Sequence, residues 1–204
     1  MNPQRIYLAS RSPRRRELLA QIGVAFDSLC FRADERVDPE IDETPHPGES
    51  ADAYVLRLAQ AKAEHGAHLI AHRKLVHRII LAADTTLEVD GDIIGKPVDS
   101  ADATHILRRL SGRSHRVLTG VATYFQENIK TALSISEVRF RPLEDAEIRH
   151  YVLSGEPMDK AGAYGIQGGA GLFIEHISGS YTGIMGLPLC ETGLLLKAQG
   201  YRFE

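Results

Sequence analysis

Cysteine is scarce in this sequence: 204 residues carry two, Cys30 and Cys190. They form neither a metal-ligand pair nor a disulfide framework. Each lies among apolar neighbours, so both are expected to be buried free thiols. No apolar run approaches the roughly 20 residues that a membrane helix needs, and no membrane partner is expected. The segment from Met1 to Arg5 is polar and lacks a signal-peptide hydrophobic region, which makes a cytoplasmic location the expectation. A basic excess is missing too, with a formal net charge of -3 and a pI of about 6.3. Nucleic-acid binders carry basic surfaces with aromatic residues between the charges, so no nucleic-acid partner is expected. That balance leaves room for a small basic pocket. The Gly-x-x-x-x-Gly-Lys-Ser/Thr pattern of a P-loop is absent. So are internal repeats, linkers and low-complexity tracts, and residues 1–204 read as one domain.

What is present suits a globular enzyme. With 43% hydrophobic and 25% charged residues, the chain can bury a real core. Ile6 to Ala9 reads as a buried strand. Ser12-Pro13 then opens a helix, with Ser as N-cap and Pro at the first helical position. Leu18, Leu19 and Ile22 give that helix its apolar face, and Gly23 ends it. Phe26 to Phe31 reads as a second strand, and Arg32 to Glu49 as an acidic, proline-bearing loop. In the helix from Ala51 to about His72, Tyr54, Val55, Leu58 and Ala61 recur at helical spacing. Arg78 to Ala83 is strand-like. Leu87–Val89 and Ile93-Ile94 flank Asp90-Gly91, a hairpin signal. A helix over Ala101–Leu110 precedes long strands over Val117–Phe125 and Thr131–Phe140. Helices over Glu144–Leu153 and Pro188–Ala198 and a strand over Phe173–Ile177 complete the list. Such an alternation predicts an α/β fold, a mixed twisted sheet flanked by helices.

Four segments could carry chemistry. The first is Ser10-Arg11-Ser12-Pro13-Arg14-Arg15-Arg16, a strand end turning into a helix start. Helix N-termini offer free N–H groups and a positive dipole end, and arginines add bidentate donors for phosphate. Arginine in a first turn opposes the dipole, and such a broken local rule points to function rather than to a capped surface helix. Successive helical side chains diverge by about 100°, so the three arginines cannot share one ligand. The second segment is Asp84-Thr85-Thr86, directly after a buried apolar strand, where open α/β sheets place ligands. An Asp turn or cap would explain that position equally well. The third is Gly95-Lys96-Pro97, which holds a lysine for a phosphate or merely exposes one. The fourth, Asp159 to Gly171, is glycine-rich, with unusual backbone freedom that permits close approach to a ligand.

In this order the segments resemble the Maf family of nucleotide pyrophosphatases. The resemblance runs from Ile6 through the last helix. It rests on Leu8-Ala9-Ser10 with Ser12-Pro13-Arg14-Arg15, Arg57-Leu58-Ala59 to Lys62-Ala63, Ala83-Asp84-Thr85, Gly95-Lys96-Pro97, Leu110-Ser111-Gly112 and Gly186-Leu187-Pro188. It implies two lobes with a central cleft, in the manner of inosine triphosphatases. It also implies hydrolysis of a nucleoside triphosphate to the monophosphate and pyrophosphate, with Mg²⁺ or Mn²⁺ as cofactor and a homodimer as the assembly. The block from Asp159 to Gly168 looks like the branch acting on dTTP and UTP, and by extension on modified pyrimidine nucleotides. The alternatives are a 7-methyl-GTP pyrophosphatase and a nucleotide-binding regulator of septum formation.

Carried over by resemblance, Asp84 matches the proton acceptor, and Arg15, Thr85 and Gln167 match positions linked to substrate choice. Ser10, Arg14, Glu43, Lys62 and Lys96 match other pocket positions. Arg16 falls outside the motif and is expected to face solvent. A free aspartate, with a pKa of about 3.9, is a poor base toward water, and a bound metal removes most of that mismatch. Asp84 with Glu43 is therefore expected to hold the metal. Gln167 offers a donor and an acceptor, which suit the N3–H and O4 edge of thymine or uracil.

Overall fold

The computed structural model describes residues 4–29 and 41–203. Cys30, Phe31 and the first part of the acidic loop lie outside them. The elements run β1 (Arg5–Leu8), α1 (Pro13–Gln21), β2 (Ala25–Ser28), α2 (Ala51–His72), β3 (Ile80–Val89), β4 (Asp92–Ile94), α3 (Ser100–Leu110), β5 (Ser114–Phe125), β6 (Asn128–Phe140), α4 (Asp145–Leu153), β7 (Ile174–Ser178), α5 (Tyr181–Ile184) and α6 (Leu189–Ala198). The strand order is β2-β1-β3-β5-β6-β7, with β4 on β3. β1 pairs parallel with β2 and β3, and the remaining pairs are antiparallel, so the sheet is mixed as expected.

Side chains alternate across the strands, and helices cover both faces. Tyr7, Ala9, Ile80 and Ala82 pack under α2 through Ala59, Ala63 and Ile70. Ala61, which helical spacing placed on that face, is only half-buried. On the other face, Ile6, Leu8, Leu81 and Ala83 pack with Leu18 and Leu19 of α1 and Leu195 and Leu196 of α6. Further along that same face, Leu87, Val89, Val117 and Val138 pack with α3 and α4. The core therefore parts between Ala83 and Leu87 on one face. Under α2 it parts as well, between the cluster holding Ala82 and Ala122 and the one holding Leu118. Both divisions fall at the level of Asp84 and Thr85. The two halves are the lobes, and the cleft is where they separate.

Three local readings change. β3 does not stop at Ala83: it runs unbroken through Asp84, which pairs in register with Gly120 of β5. Asp84 is a mid-strand residue because β5 continues as its partner on one side, although β1 pairs no further than Leu81 on the other. Second, the glycine-rich segment is a chain of 3₁₀ turns, Glu156–Asp159, Ala161–Ala163 and Gly169–Leu172, rather than a free loop. Third, Cys190 is exposed, because it falls on the outer face of α6 while Leu195 and Leu196 face the core. The short helix α5, which the sequence analysis does not assign, carries only Gly183 and Ile184 inward and is too short to show a helical repeat. The hairpin turns use residues with positive φ, Asp90-Gly91 and, between β5 and β6, Gln126-Glu127.

Candidate active site

Where β1 ends, one edge of β3 is left without a strand partner until β4 joins at Leu87. Asp84, Thr85 and Thr86 occupy that gap, and successive side chains leave it toward opposite faces. Functional groups gather on both sides of this open edge.

On the side facing α1, Ser12 caps the helix by accepting the Arg15 N–H at 3.4 Å, and Pro13 follows at the first position. The first turn carries no acid. Arg15 is half-buried and held at three points. Its Nε donates to the Gly186 carbonyl at 2.7 Å, Nη2 to Thr85 Oγ1 at 3.1 Å and Nη1 to Ser10 Oγ at 3.4 Å. A guanidinium has five N–H donors. One on Nη1 and one on Nη2 remain, the pair that can grip a phosphate end-on. Burial pulls the guanidinium below its ordinary pKa, against the opposing pull of the Asp84 charge. Gly186 has φ of +106°, a conformation that glycine takes without strain and that turns its carbonyl toward Arg15. Thr119, which the sequence reading passed over, completes the support. Its hydroxyl donates to the Gly183 carbonyl at 2.8 Å and so accepts from Thr85 at 2.9 Å. The Thr85 oxygen is then left as the acceptor for Arg15. The only signal for Thr119 was a hydroxyl inside the apolar run Val117–Ala122.

On the side facing α2, Lys62 Nζ lies 2.5 Å from Asp84 Oδ1 and 2.7 Å from Glu43 Oε1. Asp84 is 9% exposed, so its carboxylate is largely shielded from water. The loop that carries Glu43 is set by α2 itself. Tyr54 donates its hydroxyl to the Glu43 carbonyl at 2.8 Å. Arg57 grips Glu49 through Nε and Nη2 at 2.7 and 2.8 Å and donates to the carbonyls of Asp42 and Thr44. That bidentate grip holds the Glu49 carboxyl at about 2. Burial would raise the Glu43 carboxyl, but the hydrogen bond and charge of Lys62, aided by the charges of Lys96 and Arg15, outweigh it and hold it below its usual value. Burial, with the negative charges of Asp84 and Glu43, pushes the Tyr54 hydroxyl up to about 12.

The two carboxylates converge on one cation at short range. That donor set fits Mg²⁺ or Mn²⁺, which take one or two carboxylates and complete their shell with substrate phosphates and water. Among the described residues there is no larger cluster of metal-ligating side chains.

The other expected residues stand at the margin. Arg14 reaches Asp159 Oδ2 at 3.6 Å, tying α1 to the glycine-rich segment. Arg16 is exposed. Lys96 is exposed, and Gly95 before it accepts the Gly162 N–H at 2.9 Å, which docks the third segment on the fourth. Gln167 is exposed on a turn and has no hydrogen-bond partner among the described residues. Its neighbour Ile166 packs against both lobes on the α1 face of the sheet. The structure thus brings Ser10, Arg15 and Thr85 together, and Lys62, Asp84 and Glu43 together. It does not join Gln167 to either group by a hydrogen bond.

No described helix is long and apolar enough to cross a membrane. The chain is 65% identical over 198 residues to the dTTP/UTP pyrophosphatase of Dechloromonas aromatica (strain RCB), with 97% of this chain and 98% of that protein covered. It is 66% identical to the protein of the same name from Aromatoleum aromaticum, covering 97% and 96%. The dTTP/UTP pyrophosphatase of Chromobacterium violaceum is 53% identical, covering 98% and 97%. Among solved structures, the Staphylococcus aureus Ham1 protein is similar at a TM-score of 0.46 and 16% identity, over 67% of this chain and 72% of that one. The family model described as Maf, Maf-like protein, matches residues 5–199, and this chain belongs to the Maf family.

Proposed function

We propose that this chain hydrolyses dTTP and UTP to the monophosphate and pyrophosphate, with modified pyrimidine triphosphates as further substrates. The observation that carries the chemistry is the Lys62 bridge between Asp84 and Glu43 beside an arginine with two unspent donors. The choice of base rests on the relatives at 65% and 66% identity, which are named for dTTP and UTP. A cytoplasmic homodimer is the setting this reading adopts.

The substrate brings about four negative charges, which must be offset before a nucleophile can approach. Arg15 supplies two N–H donors and the α1 N-terminus adds its dipole. Arg14, Lys62 and Lys96 ring the same opening. Water attacks the α phosphorus, and the bond from that phosphorus to the bridging oxygen breaks. Pyrophosphate leaves, and Asp84 accepts the water's proton. A divalent metal held by Asp84 and Glu43 would acidify its bound water and polarise a phosphoryl oxygen. Lys62 bridges the two carboxylates and holds them close. Gln167, exposed on its turn, presents a donor and an acceptor to the base.

A panel of standard and modified triphosphates with Mg²⁺ or Mn²⁺, read as monophosphate and pyrophosphate, tests this directly. Asp84→Asn is expected to reduce kcat by about 10² to 10⁴-fold, the usual span for a positioned acid or base. Wild-type turnover in that variant at saturating metal would refute the assignment of Asp84.

A further inference from the structure

The turn that carries Gln167 is held from below by two side chains to which neither the motif nor the chemistry above gives a role. Gly165 donates its N–H to the Tyr151 hydroxyl at 3.2 Å. Tyr151 in turn donates to Glu156 Oε1 at 2.8 Å. The other oxygen, Glu156 Oε2, accepts the Gly169 N–H at 3.0 Å. Gly168 N–H closes the turn on the Gly165 carbonyl at 3.1 Å. Tyr151 and Glu156 therefore pin both feet of the turn, one at Gly165 and one at Gly169. Tyr151 is 5% exposed and stacks edge-on against Phe173, so this support is anchored in the core.

The glycines of the turn make room for the clamp. A Cβ on Gly168 would lie 2.0 Å from Glu156 Oε1, and one on Gly165 would lie 2.8 Å from Lys160 Cε. Gly168 has φ of -108°, outside the left-handed region, so what a side chain there would disturb is the Glu156 carboxylate. Lys160 stiffens the base further by donating to the Glu156 carbonyl at 2.5 Å and to Asp159 Oδ1 at 2.6 Å. With Ile166 packed inward against both lobes, Gln167 is the residue of the turn that the clamp leaves facing out.

We propose that Tyr151 and Glu156 are positioning residues that set nucleobase preference by fixing the Gly165–Gly169 turn. The proposal rests on the reading that this turn meets the base, and the test separates the two. Tyr151→Phe deletes the shared hydroxyl and keeps the ring. Glu156→Gln replaces one acceptor oxygen by an NH2 donor, so this side chain can no longer accept from both Tyr151 and Gly169 and the clamp is weakened. The measurements are kcat/KM for dTTP, UTP and GTP, and the inhibition constant of inorganic tripolyphosphate, which has no base. Each variant should lower the dTTP-to-GTP preference by about threefold to tenfold, the scale of one lost hydrogen bond. Tripolyphosphate inhibition should stay within about twofold, because Arg15 and Lys62 are held by other contacts.

Gln167→Ala is the companion variant. If it loses preference while Tyr151→Phe and Glu156→Gln keep it, the clamp is overturned and the role of Gln167 stands. If the clamp variants lose preference and Gln167→Ala does not, the clamp acts through the turn backbone and the role of Gln167 falls. Preference unchanged in all three overturns both. A tripolyphosphate constant that worsens as much as the preference would show general loosening and overturn the proposal. Should Tyr151→Phe fail to fold, Glu156→Gln carries the test, since it leaves the aromatic packing intact.

Discussion

Lys62 is the residue on which the site turns. An ammonium 2.5 Å from one carboxylate and 2.7 Å from another occupies the place where a divalent cation would be shared. Lys62 and a bound metal would then compete for the same two oxygens until a phosphate offered the lysine another partner. Lys62→Met should therefore bind Mn²⁺ more tightly than wild type without nucleotide, while its turnover falls by about tenfold or more, since a buried cation facing developing charge is lost. Titration calorimetry reads the first effect, and weaker Mn²⁺ binding in the variant would disprove the competition. This pairing was legible only in part. Lys62 and Glu43 each read as an ordinary solvated charge, and nothing in a one-dimensional string tells which acid a lysine 19 residues further on will meet. Resemblance named them, and the fold of the loop over α2 joined them. Thr119 was illegible for the opposite reason, since a threonine in a strand is a good β-former and draws no notice.

At the scale of elements, the decisive contact is α2 on β5. A Cβ on Gly120 would lie 2.4 Å from the Val55 carbonyl oxygen, which is helix backbone and cannot yield cheaply. Gly120 pairs with Asp84, so this close approach of α2 to the sheet lies beside the residue that α2 must reach with Lys62. Gly120→Ala should force the helix outward and destabilise the fold by about 1–3 kcal/mol, the cost of overpacking a filled core. Activity per folded molecule should fall as well, because Lys62 moves with its helix. Thermal unfolding and an assay on the folded fraction measure the two effects, and a variant as stable as wild type would remove the close-packing argument. α2 was legible from its apolar repeat. The true length of β3 was not, because Asp84 and Thr85 break the apolar run and mimic a strand end. Only the neighbouring β5, by continuing to pair, keeps that segment extended.

Over the whole molecule, acid acts on stability through a histidine buried in one lobe. His115 sits in the α3–α4 lobe at 3% exposure, with Nε2 on the Tyr164 hydroxyl at 2.8 Å and Nδ1 without a partner among the described residues. Burial lowers its pKa from 6.5 to about 4. Between those values the unfolded chain takes up a proton that the folded chain refuses, so stability falls as pH drops through this window. The loss amounts to about 3 kcal/mol at most, at roughly 1.4 kcal/mol per unit. His115→Phe should lose less stability than wild type between pH 6.5 and 4, whatever its stability at neutral pH. Chemical denaturation at several pH values checks this, and parallel slopes in the two proteins would contradict it.

Resemblance named the candidate site residues, and by itself the sequence determined the class of the fold and the capped start of α1 at Ser12-Pro13. These depend on local signals such as hydrophobic period, caps and short motifs, which act within a few residues. Helical geometry showed that the three arginines cannot share one ligand, and the resemblance, whose motif leaves Arg16 out, singled out the one that is exposed. The tertiary structure alone decided that Asp84 lies mid-strand at an open edge and that one lysine joins two carboxylates. It also decided that the glycine-rich segment is a braced turn rather than a free loop. Each of these depends on which distant segment fills the space beside a residue: β5 beside Asp84, the Glu43 loop beside Lys62, Tyr151 and Glu156 beside Gly165 and Gly169. Such neighbours are fixed by long-range packing, to which no local pattern is bound.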